Sequence, residues 1–141
     1  MPITDFEQFK VFSAKIPFLL HLGIEVVAAR EGWVRMKMTY SDNLVQPFVV
    51  HGGALYSLAD AAAAHAGMTM VMPENGVTTV EQRINFLRGT KDSDLFCEAN
   101  VVNLGKTLIY VEASITDQEE KLIARSTATL MRLDMERYKK S

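Results

Sequence analysis

The chain has 141 residues, is 48% hydrophobic and carries a formal net charge of −2. That suits one globular domain over 1–141 with a sizeable core and gives no basic face for nucleic acid. Cys97 stands alone, so neither a disulfide framework nor a cysteine-based metal site is expected, and the start MPITDFEQFK has no signal-peptide pattern, so a reducing, cytoplasmic compartment is the expectation.

In chain order, Thr4-Asp5-Phe6-Glu7 has the spacing of a capping box, and a short helix is predicted from about 4 to 16, until Pro17 disturbs it. Phe6, Phe9 and Phe12 give it an apolar side. Ile24 to Ala29 reads as a strand and Arg30-Glu31-Gly32 as a turn. Val34, Met36, Met38 and Tyr40 then alternate with Arg35, Lys37 and Thr39, the period of a half-buried strand. Residues 41–50 are loop-like and carry Pro47.

From about 53 to 72 the pattern is helical, and it is apolar nearly all round apart from Asp60, His65 and a few hydroxyls. A helix of that character is a buried one, and about 20 residues make a rod of roughly 30 Å. No apolar run approaches the roughly 20 residues of a membrane span. Four strands follow, near 77–87, 95–104, 107–116 and 122–133, with turns at 103–106 and 117–120. Short connections make consecutive strands antiparallel. The economical arrangement is α+β, with one antiparallel sheet wrapped around the long helix. ERYKKS at the C-terminus reads as a frayed, solvated end.

The chemistry concentrates at His51-Gly52-Gly53. Two glycines at a loop-to-helix boundary can leave backbone N–H groups bare, and a helix N-terminus adds partial positive charge. That equipment stabilises a developing oxyanion. Two turns on, in LADAAAAHAGM, Asp60 sits among alanines, where a carboxylate is costly without a partner. Bare donors and an isolated carboxylate together point to acyl transfer, with Asp60 as base or nucleophile.

HGGALYSLADAAAAHAG (51–67), VTTVEQRINFLRG (77–89), NLGK (103–106) and LIARSTATLMR (122–132) together resemble the hotdog-fold acyl-CoA thioesterases of the phenylacetyl-CoA thioesterase-like branch. The resemblance runs from about residue 18 to 133. It implies a hotdog fold, a sheet around one central helix, and hydrolysis of an aryl- or short- to medium-chain acyl-CoA to free acid and CoA. No metal and no organic cofactor are implied; coenzyme A is part of the substrate. The Gly52 N–H would polarise the thioester carbonyl, and Asp60 would activate water or attack. His51 would shape the loop and contact the thioester, and Thr79 would help hold the water. The resemblance implies a homodimer, or a homotetramer of paired dimers, with Asp60 facing Gly52 of the other subunit.

One departure stands out. The family reads N-x-x-G-x-x-HGG, and this chain has Val45 and Phe48 at the Asn and Gly positions. Gln46 or Asn43 could take over from the Asn, though neither is in register. Gly53 and Gln46 are therefore candidates for substrate contact, as are Arg88 and Lys106, because CoA phosphates need cations. As ordinary surface residues, Arg83, Arg88 and Lys106 would be solvated charges. His65 lies about 140° around the helix from Asp60, so it reads as a packing residue, as does His21, and Cys97 as a buried thiol. The other reading is a non-catalytic acyl-CoA binding or regulatory module, which the missing Asn favours and Asp60 opposes. A hydratase would need a G-D-x-N-P-x-H pattern, which the chain lacks.

Overall fold

The computed structural model describes residues 5–139. Asp5 caps the first helix, α1 (Phe6–Ser13), its carboxylate accepting from Glu7 N (3.0 Å) and Gln8 N (3.3 Å). The expected cap, Thr4, lies outside the described residues. Phe9 is the buried aromatic of α1, while Phe12 stays 38% exposed. The helix expected to run to 16 stops at Ser13, and Pro17 opens a second helix, α2 (Pro17–Leu22). Proline's fixed φ and missing N–H suit a first helical position, so it starts a helix as readily as it ends one. Gly23 closes α2 at φ 71°.

Strands β1 (Ile24–Arg30) and β2 (Trp33–Met38) form the expected hairpin, with Gly32 at φ 78° in the turn. The alternation is as predicted: Val34, Met36 and Met38 are buried. A single 3-10 turn (Asp42–Leu44) leads into the loop before α3 (Gly52–Val71). Then come β3 (Asn75–Phe86), β4 (Leu95–Leu104), β5 (Leu108–Thr116) and β6 (Leu122–Asp134). The chain ends in a five-residue helix, α4 (Met135–Lys139), where a frayed end was expected; the last two residues lie outside those described.

All six strands form one antiparallel sheet in the order β1-β2-β4-β5-β6-β3, curled around α3. This is the hotdog arrangement. β3 crosses over to pair with β6, so it becomes an edge strand. The close fit of helix to sheet shows at Gly67, where a Cβ would stand 2.6 Å from Leu130 Cδ1.

The core is the helix face of the sheet against α3: Cys97, Ala99, Ile109, Val111, Ala113, Ile115 and Leu130 meet Leu58, Ala59, Ala62, Ala63 and Ala66. Alanines on α3 let the sheet approach closely. One strip of the helix escapes this cover. Gly53, Tyr56, Ser57, Asp60, Ala64 and Met68 are exposed or half-buried. They recur at three- and four-residue spacing, which is one face of a helix.

Candidate active site

The N-terminus of α3 has four N–H groups without intrahelical partners by construction. Three find acceptors here. His51 is the N-cap, and its Nδ1 accepts from Gly53 N at 2.8 Å. His51 N donates to the Leu44 carbonyl (2.7 Å), and the His51 carbonyl accepts from Ala54 N (2.9 Å) ahead of the regular bond from Leu55 N (3.3 Å). Gly52 N–H is the one left bare among the described residues. The two glycines are therefore not equivalent: Gly53 is held by the cap, and Gly52 offers its hydrogen outward. Because Nδ1 accepts, the ring hydrogen of neutral His51 sits on Nε2. A Cβ on Gly53 would lie 3.0 Å from His51 Nδ1, so the cap is built around glycine there.

Asp60 is half-buried on the uncovered strip of α3. Thr79 Oγ1 donates to its Oδ1 at 2.7 Å. A register shift at Val80 in β3 produces this pairing. Thr79 faces the helix opposite Leu130, and after the shift Gln82, not Glu81, faces it again opposite Ala128. Such a bulge re-aims side chains. Gln82 and Tyr56 then tie strand to helix: the Tyr56 hydroxyl donates to the Gln82 carbonyl (2.7 Å), and Gln82 Nε2 donates to the Tyr56 carbonyl (3.3 Å). Phe86 closes the series against Gly52, where a Cβ would stand 3.3 Å from its ring. Edge strand β3 is thus pinned along α3 at Gly52, Tyr56 and Asp60. The Tyr56–Gln82 tie has no signal in period-2 counting, because the bulge breaks the period.

Three hollows surround these groups. One of about 420 Å³ lies between α2 and α3, with Asp60 in its wall. A second, of about 250 Å³, holds His51, Gly53, Asn43 and Val45, and shares Phe18 and Ser57 with the first. A third, of about 340 Å³, brings Gln46 and Arg88 beside Gly52. Asn43 and Gln46, the two stand-ins for the family Asn, therefore line separate hollows beside the motif. Val45 makes a backbone bridge to Val50, which closes the loop whose tip is Phe48. Phe48 is 83% exposed.

Lys106 is elsewhere. Its turn adjoins Arg132, which bonds the Gly105 carbonyl and Asn75 at the far end of β3 from Phe86. Twelve residues of strand separate those ends by roughly 30 Å or more. Within one chain Lys106 is not brought to the motif.

His65 is 2% exposed, and both its nitrogens are bonded. Nδ1 must donate to the Ala61 carbonyl (2.7 Å), so Nε2 accepts from the Ser13 hydroxyl (2.9 Å). Burial lowers its pKa, with the Ala61 bond and the Asp60 charge opposing. It docks α1 and is a packing residue. Cys97 is buried, and desolvation pushes its thiol pKa up, away from thiolate chemistry. Among the described residues no three His, Cys, Asp or Glu side chains converge on a common point, and no helix is long and apolar enough to cross a membrane.

Comparison with known proteins places this geometry in a family. Residues 49–124 match the thioesterase superfamily model. The chain is 32% identical to the acyl-coenzyme A thioesterase PaaI of Escherichia coli, over 73% of each chain. It is 29% identical to the 1,4-dihydroxy-2-naphthoyl-CoA hydrolase of Listeria monocytogenes, over 77% of this chain and 89% of that one. Among solved structures, a thioesterase of Haemophilus influenzae superposes with a TM-score of 0.86 at 27% identity, covering 94% of this chain and 92% of that one. A bare helix-terminal N–H, a carboxylate set in a cavity and this match together establish that the chain belongs to the thioesterase superfamily and is a thioester hydrolase.

Proposed function

We propose that the protein hydrolyses an acyl-CoA thioester to the free acid and CoA, with Asp60 as the base or nucleophile and the Gly52 N–H as the oxyanion donor. The observation that carries this reading is the Thr79–Asp60 hydrogen bond of 2.7 Å, which holds a carboxylate in the wall of the cavity between α2 and α3. It fixes one carboxylate oxygen and leaves the other for water or the thioester carbon. A thioester carbonyl is already electrophilic, so an aligned carboxylate and one strong donor suffice without a metal or organic cofactor. The CoA part of the substrate is supported by the two relatives, both of which are CoA thioester hydrolases by name.

The site is shared between two subunits in this reading. Gly52 and Asp60 are eight residues apart on one helix, which separates them by about 12 Å of rise. One carbonyl cannot touch both groups of a single chain. The unpaired outer edge of β3 invites pairing with a second copy. A homodimer across that edge would bring Asp60 of one chain to Gly52 of the other, and two dimers could associate into a tetramer. Arg88 and Gln46, beside Gly52, would then meet the CoA arm, and His51 Nε2–H would face the thioester.

Thiol release from a panel of acyl-CoAs, read alongside sedimentation, tests the reading. Hydrolysis by an oligomer is expected. A monomer with full activity would overturn the shared site, and no release from any acyl-CoA would overturn the substrate.

A further inference from the structure

We infer that the cavity beside Asp60 selects acyl groups that are apolar to their far end and excludes those bearing a distal hydroxyl or carboxylate, with Ala64 setting its depth. The inference rests on the proposed acyl-CoA hydrolysis and names the acyl class.

The hollow of about 420 Å³ is walled by Ile16, Phe18 and Leu19 on one side and by Ala64 and Met68 of α3 on the other. Three polar side chains besides Asp60 also line it, and each has already committed its hydrogen. Tyr56 donates to the Gln82 carbonyl, Ser57 Oγ to the Gly53 carbonyl at 2.9 Å, and His65 Nδ1 to the Ala61 carbonyl. His65 Nε2 is occupied by Ser13. Among the described residues no Lys or Arg lines the hollow. Among those residues no side chain that lines it has a donor to spare; the acceptors left are Asp60, which is needed at the reacting carbon, and the Tyr56 and Ser57 hydroxyl oxygens, which lie on the side of Asp60 away from Ala64 and Met68.

At the Ala64 and Met68 end of the hollow, a distal carboxylate would therefore lose its water, find no cation among this chain's lining residues and lie on the same helix face as the Asp60 charge. A distal hydroxyl beside Ala64 and Met68 would find no donor and only a carbon wall. Both leave a polar group unsatisfied, and that discriminates between otherwise similar substrates. Hydroxyaryl acyl groups, such as the one in the name of the Listeria relative, are thereby disfavoured here. Depth follows from the helix. Ala64 is one turn beyond Asp60 and Met68 one turn beyond that, on the same uncovered strip. The small side chain at 64 leaves the room that the acyl group fills.

The test compares matched pairs with the 141-residue chain: benzoyl- against 4-hydroxybenzoyl-CoA, and pentanoyl- against glutaryl-CoA. The hydroxylated member should lose about tenfold or more in kcat/KM, and the carboxylated one at least as much. Ala64→Leu should lower the ratio of phenylacetyl-CoA to acetyl-CoA hydrolysis by about tenfold or more. Should that variant fail to fold, the matched pairs decide alone. Equal rates within the pairs overturn the inference while leaving the thioester reading intact, as does an Ala64→Leu loss that is the same for every acyl group. If no acyl-CoA at all is cleaved, the proposed function fails and this inference falls with it.

Discussion

Thr79 holds Asp60. Its hydroxyl lies 2.7 Å from one carboxylate oxygen, delivered there by the register shift at Val80. The bond satisfies half of a carboxylate that would otherwise stand unpartnered in the cavity wall, and it fixes the direction of the other half. Thr79→Val removes the hydroxyl and keeps the shape. Hydrogen bonds to a charged group contribute about 1.5–3 kcal/mol, so kcat should fall by about tenfold to a hundredfold. KM should stay near the parent value, and Thr79→Ser should restore much of the rate. A Thr79→Val enzyme with parental kcat would show that the bond does not orient the base.

Gly52 can be tested at its backbone. Proline lacks the N–H and is tolerated at the first helical position. His51, at φ −61° and ψ 136°, already has the extended backbone required before a proline. The Phe86 ring, 3.3 Å from the site of a Cβ, must give slightly. Gly52→Pro should keep the helix by circular dichroism and lose about 10²–10³ in turnover. Mixing it with Asp60→Asn, after dissociation and reassembly, should recover activity, because one site in each mixed dimer then has both wild-type groups. Failure to recover, with mixed dimers present, would mean that the two groups do not meet across subunits.

His51 has two tasks to separate. As the N-cap it accepts from Gly53 N, and loss of a cap typically costs about 1 kcal/mol. His51→Ala should lower both stability and rate. Asparagine is a strong N-cap, so His51→Asn should restore the melting temperature. It should not restore kcat, since it lacks the outward Nε2–H. Full recovery of both would reduce His51 to a cap.

Much of this was legible in the sequence. The 20-residue helix, its apolar surround and the alternation in β2 follow from periodicity, and observed ends lie within about two residues of those expected for α3. What was not legible depends on long-range packing. Pro17 reads as a breaker, yet it opens α2, whose side chains make one wall of the cavity. Period-2 counting from Thr79 puts Glu81 on the helix face; the bulge puts Gln82 there and creates the tie to Tyr56. The edge position of β3 follows from the crossover through residues 87–94, which no local signal encodes. At HGG, the spacing marked both glycines, but only the hydrogen-bond arrangement separates the free donor at Gly52 from the capped one at Gly53.

Stability should depend on pH through His65. Burial lowers its folded-state pKa below the ordinary value of about 6.5. The unfolded chain then binds more protons than the folded one as pH falls through that value, so stability rises with pH there. Below about pH 6.5 the melting temperature should drop. His65→Gln, which cannot take up a proton, should show a shallower drop between pH 7 and 5. Parallel curves for the two proteins would remove His65 from the account.

The most direct test of the central claim is single-turnover thioester hydrolysis by Asp60→Asn. The amide is nearly isosteric and can keep the Thr79 contact, so the fold and the affinity for CoA should persist. Loss of a general base or nucleophile removes about 10²–10⁴ in rate, so the chemical step on the best acyl-CoA should fall at least about a hundredfold, with CoA binding retained. An Asp60→Asn enzyme that cleaves that acyl-CoA as fast as the parent would contradict that claim.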